Sequence, residues 1–132
     1  MFYLKLYLLT VPVFFTVDLL WLGVIARKLY QDQLGHLLAE RVDWAAAIGF
    51  YLIYIAGILL FAVAPGLAED SLRRTALGGA AFGFFTYITY ELTNRATLPT
   101  WPWKIVVVDT LWGVALCTIV AVSAHLIGQR LA

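Results

Sequence analysis

The segment Tyr87–Gly113, YITYELTNRATLPTWPWKIVVVDTLWG, decides the fold. It gathers Glu91, Asn94, Arg95, Lys104 and Asp109 in a chain that is otherwise mostly hydrocarbon. One apolar run ends here on a polar note, a turn stiffened by Pro99 and Pro102 follows, and a second run begins at Trp103. The segment closes on Val108-Asp109-Thr110-Leu111-Trp112-Gly113, which echoes Val17-Asp18-Leu19-Leu20-Trp21-Leu22-Gly23. Each acid stands three positions before a tryptophan, inside an apolar run. The echo is confined to these motifs and is no duplication of the chain.

Outward from that segment the composition is far from that of a soluble domain, with 63% hydrophobic and 13% charged residues. Four apolar runs reach the roughly 20 residues that a helix needs to cross a bilayer. The expected fold is all-α: a polytopic membrane protein whose four transmembrane helices form one antiparallel bundle. The helices are expected at about 2–26, 44–64, 74–94 and 103–127, with residues 1–132 as a single transmembrane domain. The formal net charge is +1 and the nine basic residues are scattered, which excludes a nucleic-acid footprint. A lone Cys117 can form neither an intramolecular disulfide nor a cysteine zinc cluster, and reads as a small core residue. No metal-ligand spacing occurs, so neither metal nor cofactor is expected.

The first run, Phe2 to Ala26, is too long for the apolar core of a signal peptide, lacks a small-residue cleavage site and carries Asp18. It reads as a retained helix with Lys5 reaching the headgroups. In 28–43, Leu29, Leu34, Leu37, Leu38 and Val42 recur among charges, the pattern of an amphipathic stretch lying at the interface. His36 on its polar side reads as a surface histidine. Asp43 and Ser71 suit helix N-caps, and Pro65-Gly66 should end the second crossing. Gly79-x-x-x-Gly83 allows close helix approach, within the bundle or across a homodimer face. Trp101 and Trp103 suit an aromatic belt, and His125 a headgroup contact. Basic groups divide five against five between the two membrane faces, counting the α-amino group, so the positive-inside rule gives no orientation.

Depth follows from the helical rise of about 1.5 Å per residue. Measured from the face with the first and third loops, Asp18 and Trp112 both lie about 13 Å deep, and Trp21 and Asp109 about 9 Å. If the outer two runs are neighbours, each indole N–H can donate to the opposite carboxyl. Tyr87, Tyr90, Glu91 and Asn94 share one helical face, and Tyr51 and Tyr54 reach similar depths. The candidate ligand-binding set is therefore Asp18, Trp21, Tyr51, Tyr54, Tyr87, Tyr90, Glu91, Asn94, Asp109 and Trp112. The opposite half reads as Leu, Val, Ala and Gly. An acid at a helix centre costs about 2.5–3.5 kcal/mol on insertion scales, and intramembrane ionisable groups are functional candidates. The bland alternative is that Asp–Trp contacts lock the helices together and that Glu91 and Arg95 form a helix-end ion pair.

Asp18-x-x-Trp21-Leu22, Tyr90-Glu91-Leu92-Thr93-Asn94-x-Ala96-Thr97-Leu98, Trp101-Pro102 and Val108-Asp109-x-x-Trp112-Gly113 together resemble an uncharacterised family of small bacterial integral membrane proteins. That family is a predicted-membrane domain of unknown function, and the resemblance covers essentially the whole chain. The chain departs from it at Glu91, where the resemblance implies an aspartate. It implies a four-helix protein of the bacterial inner membrane, with no activity to carry over. Members often sit beside genes for lipid-modifying enzymes of the cyclopropane-fatty-acid type.

Three functional classes fit. The first is a pocket for a lipid-like or small amphipathic ligand, with Asp18, Asp109 and Glu91 as candidate acids or bases should it be catalytic. Ser123 lies near the opposite face and has no triad partners. The second is a small proton-coupled homodimeric transporter. The third is an accessory subunit of a membrane lipid-modifying enzyme, docked through Gly79 and Gly83. Membrane lipid surrounds the protein in all three.

Overall fold

The computed structural model describes residues 1–132 and is all-helical, with no strand. Helix α1 (Phe2–Leu20) continues into a π turn (Trp21–Ile25). Helix α2 (Arg27–Leu34) and a 3-10 turn (Gly35–Leu37) follow. Helix α3 (Trp44–Ile58), a π turn (Leu59–Val63) and α4 (Ala64–Ala68) make one continuous rod. Helices α5 (Leu72–Thr97) and α6 (Trp103–Leu131) complete the chain.

Local sequence accounts for most of these limits. Asp43 Oδ1 accepts from Ala46 N at 3.1 Å and Ser71 Oγ from Arg74 N at 3.1 Å, so both expected caps are in place. Pro65-Gly66 does not end the second run, which stays helical to Ala68. The proline ring would press on the carbonyl of Phe61, four residues back. Phe61 lies in the π turn, whose wider loop of bonds relieves that clash. Asp70, at φ 50°, then turns the chain into α5.

Three stretches are long and apolar enough to cross a membrane: Phe2–Ile25, Trp44–Ala68 and Trp103–Leu131. Helix α5 matches them in length at 26 residues, but Gly, Thr, Tyr and Glu dilute its apolar character. The outer surface is apolar: Leu8 is 60% exposed, Ile53 75%, Phe85 66% and Leu111 65%. So large an apolar surface suits lipid, not water. Leu6, Phe14, Ile55, Ile58, Leu116 and Val120 form the buried core.

Against lipid, helices gain little from burying hydrocarbon, and close packing must hold them together. The pairing of α5 with α6 illustrates this. A Cβ at Gly79 would lie 2.8 Å from the Cys117 carbonyl oxygen, and one at Gly83 would strike the carbonyl group of Gly113. Moving up α5 from 79 to 83 moves down α6 from 121 to 113, so the two helices run in opposite directions. The Gly79–Gly83 face is thus occupied by α6 and is not a free surface for another chain. Helix α1 also packs against α6.

His125 does not meet headgroups. It is fully buried, and its Nδ1 shares a 2.7 Å hydrogen bond with Thr75 Oγ1 on α5. It continues the stripe Gly113, Cys117, Ala121 at four-residue spacing, and that stripe faces α5. The half expected to be purely aliphatic therefore contains a buried polar pair.

Candidate functional site

At the end of the α5–α6 pair away from His125 the helices part around a cavity of about 440 Å³. Its wall draws on α1, α2, α3, α5 and α6, together with Trp101 from the α5–α6 turn. Eight of its fourteen residues are aromatic and three are acidic, so the wall is apolar in area yet acidic in charge. Asp18, Tyr51, Tyr54, Tyr87, Tyr90, Glu91, Asp109 and Trp112 all line it, as their shared depth leads one to expect. Trp21 and Asn94 do not line it.

One half of the expected reciprocal pairing is present. Trp112 Nε1 donates to Asp18 Oδ1 at 3.2 Å. The other half passes through a third residue: Trp21 Nε1 donates to the Tyr30 hydroxyl at 3.1 Å, and that hydroxyl donates to Asp109 Oδ1 at 2.5 Å. The two indoles stack face to face, centroids 4.5 Å apart and planes within 7°, so Trp21 supports the wall from behind. Tyr30 reaches between Trp21 and Asp109 because α2 folds back against the bundle. It turns Tyr30 and Leu34, one turn apart, onto Trp101, Ile105 and Val106, closing the cavity. Burial and the neighbouring Asp109 push the Tyr30 phenol well above the usual tyrosine range. Tyr30 thus stays protonated and can donate to Asp109 while accepting from Trp21.

Glu91 departs furthest from expectation. It makes no ion pair with Arg95, the only ion pair in the molecule being Arg74–Glu69 at 3.6 Å. Arg95 instead donates from Nη1 to the Trp101 carbonyl at 2.7 Å and stacks over Trp103, 4.8 Å from its ring centre. Folding the turn back this way carries Trp101 out of any aromatic belt. It is only 6% exposed, and its Nε1 donates to Glu91 Oε2 at 2.7 Å. Glu91 Oε1 is fully buried and has no hydrogen-bond partner.

On α3, the Tyr54 hydroxyl is 2.7 Å from Thr86 Oγ1 and 3.1 Å from Cys117 Sγ, which ties the wall to α5 and α6. The Tyr87 ring lies against Gly113, where a Cβ would displace it. The carboxyls are not grouped closely enough to chelate one metal ion. Chemically, the arrangement offers buried acceptors in a cage of aromatic faces, on a footing of small residues.

Residues 3–126 match the family described as "Predicted membrane protein (DUF2177)". The chain belongs to this family. No curated protein and no solved structure matches it.

Proposed function

We propose that this membrane protein holds a lipid-like or small amphipathic ligand in the aromatic–carboxyl cavity, within one half of the bilayer. On this reading residues 1–132 are one transmembrane domain of the bacterial inner membrane. α5 is a fourth crossing in an antiparallel bundle with α1, α3–α4 and α6. The observation that carries the reading is the buried, unpartnered Glu91 Oε1 on the wall of a 440 Å³ cavity. An unmade hydrogen bond of this kind costs about 1–3 kcal/mol, more for a charged group, and a ligand can remove that cost. The volume falls within the roughly 300–1,000 Å³ of small-molecule sites.

Less apolar than its neighbours, α5 can cross because Thr75, Gly79, Gly83 and its one acid, Glu91, are buried against protein. The test is mass spectrometry of small molecules that co-purify with the protein in mild detergent, beside Asp18→Asn, Glu91→Gln and Asp109→Asn. A defined molecule retained by the wild type and lost from at least one folded variant is the expected result. Identical small-molecule content in all four proteins would return the carboxyls to a purely structural role. Cysteine labelling should also place Glu69 and Ala96 on opposite membrane faces, and labelling on the same face would break the four-crossing topology.

A further inference from the structure

The cavity has an uncompensated charge pattern. Asp18, Glu91 and Asp109 enter it from three helices, and no Lys, Arg or His lines it. The cation best placed to help, Arg95, is engaged by the Trp101 carbonyl and the Trp103 ring. Arg27 lines only an adjoining cavity of about 380 Å³, beyond Tyr30 and Leu34. Glu91 is 0% exposed with one oxygen free, and Asp109 lines the same cavity. Carboxyls that share a cavity away from water either hold a proton or need a positive charge beside them, and a bound cation supplies that charge. Beyond the two indole donors, the wall supplies the aromatic faces of Tyr51, Tyr54, Tyr87, Tyr90, Trp101 and Trp112 and no cationic side chain. Aromatic faces attract ammonium groups, and cages of them are a known means of recognising such groups. An anionic amphiphile is disfavoured by the same carboxyls, and no three of the acidic side chains come together as a metal site.

We propose that the ligand of this cavity is a cationic amphiphile. Its ammonium group sits between Glu91 and Asp109, and its apolar part lies along the tyrosine and tryptophan faces. The inference rests on the ligand-pocket reading above and specifies the chemical class that the pocket takes.

Two probes of equal chain length, decyltrimethylammonium and decanol, test it on the full-length protein in a maltoside detergent, read by tryptophan fluorescence. The cationic probe should reach half-saturation at about one-tenth the concentration of the alcohol or less, the size expected of desolvated cation–aromatic and charge contacts. Glu91→Gln and Asp109→Asn, each checked for native helicity and melting temperature, should lose most of that preference, the two midpoints drawing together. Saturable binding with decanol as tight as the cation would overturn the cationic class and leave the pocket standing. A preference that survives in both folded variants would also overturn it, since the carboxyls would then not be its source. Saturable binding of neither probe would sink the pocket itself.

Discussion

The two ends of the α5–α6 pair differ in one respect that governs everything else, the size of what lies between the helices. At one end Gly79 and Gly83 bring α5 against the backbone of Cys117 and Gly113, leaving room only for the Thr75–His125 pair beyond. At the other, the face of α5 continues as Tyr87 and Glu91, and the gap widens into the cavity. The same two helices thus make a clamp at one end and a chamber at the other. In a membrane, where lipid competes equally for apolar surface, side-chain volume along one face is enough to decide which.

The sharpest way to break this contrast is at the clamp. Gly83→Ala drives a methyl group into the Gly113 carbonyl and should cost about 3 kcal/mol, by analogy with overpacked cores. Gly49→Ala has nothing within 4 Å of the added carbon and serves as the control. Melting temperatures that fall equally for the two would show that close approach is not what closes that end. Next in size is Thr75→Val, which leaves both ring nitrogens of His125 without partners and should cost about 2 kcal/mol. A loss below a few tenths of a kcal/mol would mean that the pair contributes little to the clamp.

Smaller effects are expected around the chamber. Trp112→Phe removes the donor to the Asp18 carboxyl and should cost about 1.5 kcal/mol. Trp21→Phe removes a donor to a neutral phenol and should cost nearer 1 kcal/mol. Equal losses, or the reverse order, would contradict the unequal roles of the two tryptophans. The smallest effect should come from Glu91→Gln, which keeps an acceptor for Trp101 and nearly the same shape. An unchanged melting temperature would sharpen the division of labour, with stability concentrated in the clamp. A fall as large as that for Gly83→Ala would erase it.

Much of this was legible before any coordinates. Where the long helices begin, the caps at Asp43 and Ser71, and the common depth of Asp18 and Trp112 follow from local chemistry and a fixed rise per residue. Tyr30 and Trp101 escaped because each sits in a segment whose composition is that of a membrane interface. Only tertiary folding of α2 and the turn carries them inward. The available signal for Tyr30 was its spacing of four from Leu34, an apolar face on a short helix. His125 was misplaced by its nearness to a helix end, although its four-residue spacing from Ala121, Cys117 and Gly113 puts it on the packed face. Pro65 misled because a π turn has no obvious mark in the sequence.

The stacked indoles of Trp21 and Trp112 join the first and last helices, far apart in the chain, at a centroid separation of 4.5 Å. Rings this close and this nearly parallel share their electronic excitation, so their absorption and emission report on the distance between them. Any event that parts α1 from α6, or tilts one ring as the cavity fills, rewrites that optical signature. The protein therefore carries its own gauge of helix separation, readable in a native membrane without an attached label.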